Sequence, residues 1–220
     1  MSATITLAAR DLFSVPFADT IARSADLSRC GTYRWTLTRT WSSEGGRVCF
    51  IGLNPSTADH RIDDPTVRRW MHFARAWGYG GFTAVNLYPF RSSTPAACRA
   101  WSNWQSNGPD WYVRDRLWAN ETVVVEEAKR AALVVACWGA GTWDPEWIER
   151  LCEAIQSDEE PWPDIHCFGT TASGEPIHPM ARGRRRIPDH ARPVLWRAGS
   201  SEDAWTSAMP QVIADTGGER

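Results

Sequence analysis

Four short, largely apolar runs, at 47–53, 81–88, 131–138 and 165–168, constrain this fold more than any other feature. None keeps a strict apolar–polar alternation, so each reads as a strand covered on both faces, the habit of parallel sheets. Helical stretches separate them. Asp64 and Pro65 make a helix start, with Asp as N-cap and Pro at the first helical position. Val67, Trp70, Met71, Ala74 and Trp77 follow at helical spacing, and Gly78 supplies a left-handed stop. A second helix is expected over 109–130, where Trp111, Arg114, Asp115, Trp118, Thr122 and Val125 stand near helical spacing. A third is expected over roughly 145–157. The alternation predicts an α/β fold with a mostly parallel four-stranded sheet and crossover connections. Ahead of it, residues 33–41 alternate β-branched and aromatic side chains and read as an antiparallel strand, closed by a turn at 42–46. Residues 1–28 have no clear period and read as a packed arm; 199–220 read as a polar tail.

A chain of 220 residues suits one domain, taken here as 1–220. Its net charge of −2 advertises no global affinity for nucleic acid, so any such contact needs a local patch. Six cysteines contain no C-x-x-C pair, which leaves a zinc ribbon or redox motif unsupported. Cys49, Cys137 and Cys167 lie in apolar runs and read as small core residues, with an iron–sulfur cluster as the alternative. Arg10 and Asp11 interrupt the first apolar stretch, so no secretory pattern is present. No apolar run nears the roughly 20 residues that span a bilayer. A cytoplasmic monomer without a membrane partner is expected. Fourteen tryptophans are an unusual number; many read as core or helix-packing residues, and a few are candidates to stack on a planar ligand, a choice the count alone does not make.

Ligands of such sheets bind outside the carboxyl ends of the strands. Four loops should meet there: 54–59, 86–91, 139–142 and 169–179. Asn54 ends a strand in a proline-fixed turn, where a carboxamide either positions a water and reads a base edge or merely caps the turn. Ser56, Thr57 and Asp59 either bind phosphate or satisfy loop backbone. No Walker loop and no G-x-G-x-x-G is present. Asp64 is the helix cap, which leaves Asp63 freer to act as base or metal ligand. Arg68 and Arg69, early in the same helix, either pair with these aspartates or reach a phosphate. His178, before Pro179 in a glycine-containing loop, either donates to a leaving-group oxygen or acts as acid, or is an ordinary loop histidine. His60, His72, His166 and His190 lack such a setting, and no two histidines have helical metal-ligand spacing, so no metal is implied. Arg182, Arg184, Arg185 and Arg186 form a local basic run that either contacts a nucleic-acid backbone, for which it is the best candidate, or is a solvated face.

Two resemblances meet at these residues. The segments 33–37, Leu53-Asn54-Pro55-Ser56-Thr57-Ala58-Asp59, Asp63-Asp64-Pro65-Thr66-Val67-Arg68-Arg69, Trp77-Gly78-Tyr79 and Asn86-Leu87 resemble the bacterial and phage family of domain of unknown function 1643. More distantly, the layout is similar to the uracil-DNA glycosylase superfamily. Its G-x-[ND]-P loop is matched by Gly52-Leu53-Asn54-Pro55, its strand ending in Asn by Val85-Asn86-Leu87 with Pro89 and Arg91, and its H-P-S loop by His178-Pro179. Ser56 replaces a glycine and Met180 a serine, and Ser173-Gly174-Glu175 lengthens the last loop. These departures point away from uracil toward a larger or modified base.

The resemblance implies a three-layer sandwich with a central four-stranded sheet, and a cofactor-free, monofunctional DNA glycosylase. Such an enzyme takes its base out of the stack of single- or double-stranded DNA. The phage association suggests hypermodified phage DNA as target, hence antiviral defence. Asn54 would orient the attacking water, with Asp59 or Asp63 as base, and His178 would stabilise the departing base. Asn86 would read the base edge, lined by Gly52, Leu53 and Pro55, while Tyr88, Phe90 or Trp138 stacks on its face. Ser56, Thr57, Arg91, Thr171 and Ser173 would hold the substrate, and Arg68, Arg69, Arg182, Arg184 and Arg185 the nucleic-acid backbone. Hydrolysis of a free nucleoside or nucleotide, and non-catalytic reading of a modified nucleic acid, are the competing expectations.

Overall fold

A computed structural model describes residues 20–103, 110–157, 160 and 162–199. One mixed sheet organises them. Its strands are β1 (Ala22–Leu27), β2 (Arg34–Thr40), β3 (Arg47–Gly52), β4 (Gly81–Asn86), β5 (Leu133–Ala136), β6 (Ile165–Cys167) and β7 (Val194–Arg197), in the order β1-β2-β4-β3-β5-β6-β7. The four expected apolar runs form the parallel centre β4-β3-β5-β6. The sheet nevertheless has seven strands, not four. β2 joins antiparallel to β4, as its alternation predicts, and the unexpected β1 and β7 close the two edges, also antiparallel. Both edges escape pattern reading for one reason. β1 is mostly exposed and polar, and β7 has four residues with Val194 and Leu195 facing out, so neither carries a buried-face period. The expected arm at 1–28 thus holds a strand at 22–27, while residues 1–19 and 200–220, including nearly all of the expected tail, lie outside the described residues.

The helices are α1 (Pro65–Ala76), α2 (Pro95–Ser102), α3 (Asp110–Lys129) and α4 (Pro145–Ile155). Only α2 lacks an expected counterpart. In α1 the Asp64 side chain accepts the Val67 N–H at 2.8 Å and Pro65 occupies the first turn. The helix stops when Gly78, at φ +88°, donates to Arg75 O while Tyr79 donates to Ala74 O, the paired bonds of a Schellman end. Asp144 and Pro145 start α4 the same way, with Trp147 N–H on Asp144 at 3.0 Å.

Alternation along β3 divides the core. Cys49 and Ile51 join a cluster with α2, α3 and α4, including Trp101, Leu117, Val124 and Leu151. Val48 and Phe50 join a second with Val67, Trp70 and Phe73 of α1. Helices therefore cover both faces, and β3 is buried throughout beyond Arg47. Cys49, Cys137 and Cys167 are fully buried and unpaired, as expected of core residues. No cluster of possible metal ligands occurs among the described residues, and none of their helices is long and apolar enough to cross a membrane.

From β3 the chain runs through α1 to β4 on one side, then through α3 to β5 on the other. This reversal leaves a crevice at the carboxyl ends of β3, β4 and β5, the place where open α/β sheets hold ligands.

Candidate functional site

A cavity of about 420 Å³ occupies that crevice. Gly52 and Asn86 end β3 and β4 in register, and the ladder continues as Leu87 N–H donates to Gly52 O at 2.9 Å. A Cβ on Gly52 would stand 3.0 Å from Asn86 Oδ1 and 3.6 Å from the Trp70 ring, so glycine is what lets both approach. Asn86 is 1% exposed and its Nδ2 has no protein acceptor. From α3 the buried Asn120 donates to the carbonyls of Asn86 and Leu87 at 2.8 and 3.2 Å, pinning the strand end.

His178 reaches the same cavity from the loop after β6. Its Nδ1 accepts the Met180 N–H at 3.1 Å, which assigns the ring proton to Nε2. Burial pulls the imidazole below its ordinary pKa, with Asp64 acting weakly the other way, so the neutral donor form holds at neutral pH. Gly139 makes room for it. At φ +85° and with a hypothetical Cβ only 3.0 Å from His178 Cβ, no other residue fits there without strain.

Of the residues expected at the site, Gly52, Leu53, Asn54, Ser56, Asn86, Trp138 and His178 line this cavity. Asn54 does so with its amide engaged. Nδ2 donates to Ser92 O at 2.9 Å and Pro55 O at 3.1 Å, tying its loop to the one after β4. Its capping role is thus physical, alongside whatever it offers a ligand.

The carboxylates rearrange the expected roles. Asp63 does not line the cavity. Burial would raise it, but hydrogen bonds from Arg23 and the fully buried Arg39 outweigh this and hold it below the usual range. Asp59 accepts the N–H groups of Arg61 and Ile62 at 2.7 and 3.0 Å, which likewise lower it, and it too is off the cavity. The helix cap Asp64 is the carboxylate that borders it.

Other expected residues lie elsewhere. Tyr88 is fully buried and stacks on Trp143 at 4.7 Å, and Phe90 stacks on Trp101 at 5.2 Å. Pro55 is buried within its loop and Thr57 is exposed. Arg91 braces the carbonyls of Gly31 and Thr57. Thr171 and Ser173 bond each other at 2.8 Å in a turn with Glu175; Ser173 borders a second, more open cavity beside Trp196. Arg69 pairs with Asp189 and Ile187 O rather than with Asp63 or Asp64, and lies 4.5 Å over Phe73. Arg68, Arg182, Arg184 and Arg185 are exposed and away from the cavity lining.

Four lining residues in particular escaped sequence reasoning. Trp70 reads as helix core, and its helical spacing hides that its ring also flanks Gly52. Ser92 and Ser93 sit in a loop without a motif. Arg34 opens β2 and is one of the two charges of that strand, the other being Arg39, which is the only signal that could have marked it.

The model of the family described as Protein of unknown function (DUF1643) matches residues 34–180, so the chain belongs to that family. No curated protein and no solved structure matches it.

Proposed function

We propose that this member of the DUF1643 family hydrolyses the N-glycosidic bond of a modified or damaged base in DNA. The observation that carries the reading is that Asn54, Asn86 and His178 line one cavity of about 420 Å³, within the roughly 300–1,000 Å³ typical of small-ligand sites. A flipped base must touch all three groups at once. The likeness to uracil-DNA glycosylases rests on the order of these motifs along the chain, and the cavity supplies their convergence.

In this reading the C1′–N bond breaks, its electron pair leaves with the base, and a water oxygen bonds to C1′. His178 Nε2–H donates to the oxygen that gains charge on the departing base. Asn86 Nδ2, without a protein partner, pairs with the base edge. Trp138 and Trp70 wall the cavity. Asp64, rather than Asp59 or Asp63, is the carboxylate placed to take the water's proton.

Purified protein should release base from at least one member of a panel of uracil-containing, deaminated and hypermodified DNA, and His178→Ala should slow release at least 100-fold. Intact glycosidic bonds across the panel would overturn the assignment; tight binding without turnover would make the protein a reader. One observation favours a second reading, hydrolysis of a free nucleotide: a buried arginine, Arg34, is among the residues lining the cavity.

A further inference from the structure

We propose that Arg34 is the seat for a phosphate group of the substrate, so that the cavity binds a nucleotide rather than an isolated base. The inference rests on the base-binding reading of the same cavity and adds the anion.

Two arginines of β2 are buried, and the fold treats them differently. Arg39 is fully buried, and Asp63 accepts its Nε at 2.9 Å while the Thr38 carbonyl accepts Nη1 at 2.8 Å. Arg34 is 2% exposed, yet no carboxylate among the described residues lies within 4 Å of it. Its Nη1 donates to Ala58 O at 2.8 Å, and its Nε has no protein acceptor. Burial lowers the guanidinium to about 10, with Asp64 opposing the shift from a distance, so it stays charged at neutral pH. A buried, charged and unpaired group is costly unless something compensates it. Asp64 does so only partly, because its Oδ1 already accepts the Val67 N–H.

The surroundings supply a phosphate's remaining needs. Ser56, Ser93 and Thr66 line the same cavity, and Thr66 belongs to the first turn of the 12-residue α1, where the helix end favours negative charge. The Asp64 carboxylate works against an anion there, which makes the guanidinium indispensable. Arg34 enters from the β2 side, where its N–H donates to Pro89 O at 3.0 Å beyond the end of β4. His178 enters against Gly139, beyond the end of β5. Sheet order places Asn86 and Gly52 between these two entries. A ligand spanning the cavity therefore meets a cation from one side and a base-edge reader with a neutral imidazole toward the other, the polarity of a nucleotide.

The test uses the full chain with inorganic phosphate as probe, at constant ionic strength against chloride. Calorimetry should show saturable phosphate binding that weakens at least tenfold in Arg34→Met, recovers partly in Arg34→Lys, and is unchanged in Arg130→Met at the exposed position just beyond α3. In the ¹⁵N-labelled wild-type protein, the Arg34 Nε–H resonance should shift on saturation, which needs no variant. Ser56→Ala/Ser93→Ala should weaken binding several-fold, and decides the matter if Arg34→Met fails to fold. A nucleoside 5′-monophosphate and an oligonucleotide lacking a terminal phosphate are then added as competitors; displacement by the first identifies a free nucleotide, by the second a DNA backbone phosphate. No phosphate binding at tens of millimolar, equal binding in Arg34→Met, an unmoved Nε–H, or displacement by neither competitor overturns the proposal. Arg34-dependent, competed phosphate binding with no base release leaves this inference standing and sinks the hydrolase; base release from neutral nucleosides that phosphate does not inhibit does the reverse.

Discussion

Gly52 and Gly139 hold open the space that the side chains of Asn86 and His178 need, for different reasons. At Gly52 the constraint is steric, since a methyl group would stand 3.0 Å from Asn86 Oδ1. Gly52→Ala should therefore displace the Asn86 carboxamide and weaken ligand binding more than it lowers the melting temperature, a split measurable by calorimetry beside thermal unfolding. At Gly139 the backbone itself is left-handed, so Gly139→Ala adds about 1–3 kcal/mol of strain to the clash with His178. Urea unfolding should show the destabilisation. His178 makes a separate prediction. Its folded pKa lies below the ordinary 6.5, so the folded state binds fewer protons than the unfolded chain as pH falls through that value. Its effect on stability is nil well above pH 6.5 and turns unfavourable below it. NMR titration should place the imidazole midpoint under 6.5, and a midpoint above it would remove the neutral-donor role.

Among elements, α1 and α4 share one start signal, Asp-Pro, and one physical consequence. Asp64→Ala and Asp144→Ala should each cost about 1 kcal/mol of stability through the lost cap. Only the first cap also borders the cavity. Asp64→Ala should thus change ligand affinity as well, while Asp144→Ala should leave it alone. Equal effects of the two on binding would show that Asp64 serves the helix only. Aspartate capping was legible from sequence because it depends on three or four consecutive residues. That the same carboxylate borders the cavity was not, because this follows from where α1 packs.

At the scale of the molecule, β2 anchors the loop that carries Asn54 through Asp64. Arg34 holds Ala58 O, and Arg39 holds Asp63. Asp63→Ala leaves a fully buried guanidinium without its carboxylate and should destabilise the fold by about 3–5 kcal/mol. The same pair sets an acid limit. Asp63 has a folded pKa below its ordinary 3.8, so its contribution is complete above that value and disappears as pH falls through the folded pKa. Acid unfolding of the wild type should begin below about pH 4, and Asp63→Asn should flatten that limb.

The four central strands, three of the helices and the end signals of α1 were written locally, in apolar runs, helical periods and the Asp64-Pro65 and Gly78 punctuation. So was the opening of the site at their carboxyl ends, since Gly52, Asn54, Asn86 and His178 each stand just past or at the end of such a run. The edge strands β1 and β7 were not legible, because a strand with little buried face has no period to read. Nor was the division of labour among charges. From sequence Asp63 was the free carboxylate and Arg34 an ordinary strand residue. Tertiary packing reversed both, bringing Arg39 onto Asp63 and leaving Arg34 buried in the cavity without a carboxylate beside it. Which charges meet depends on contacts between β2 and a loop some twenty residues away, and no local pattern encodes that distance.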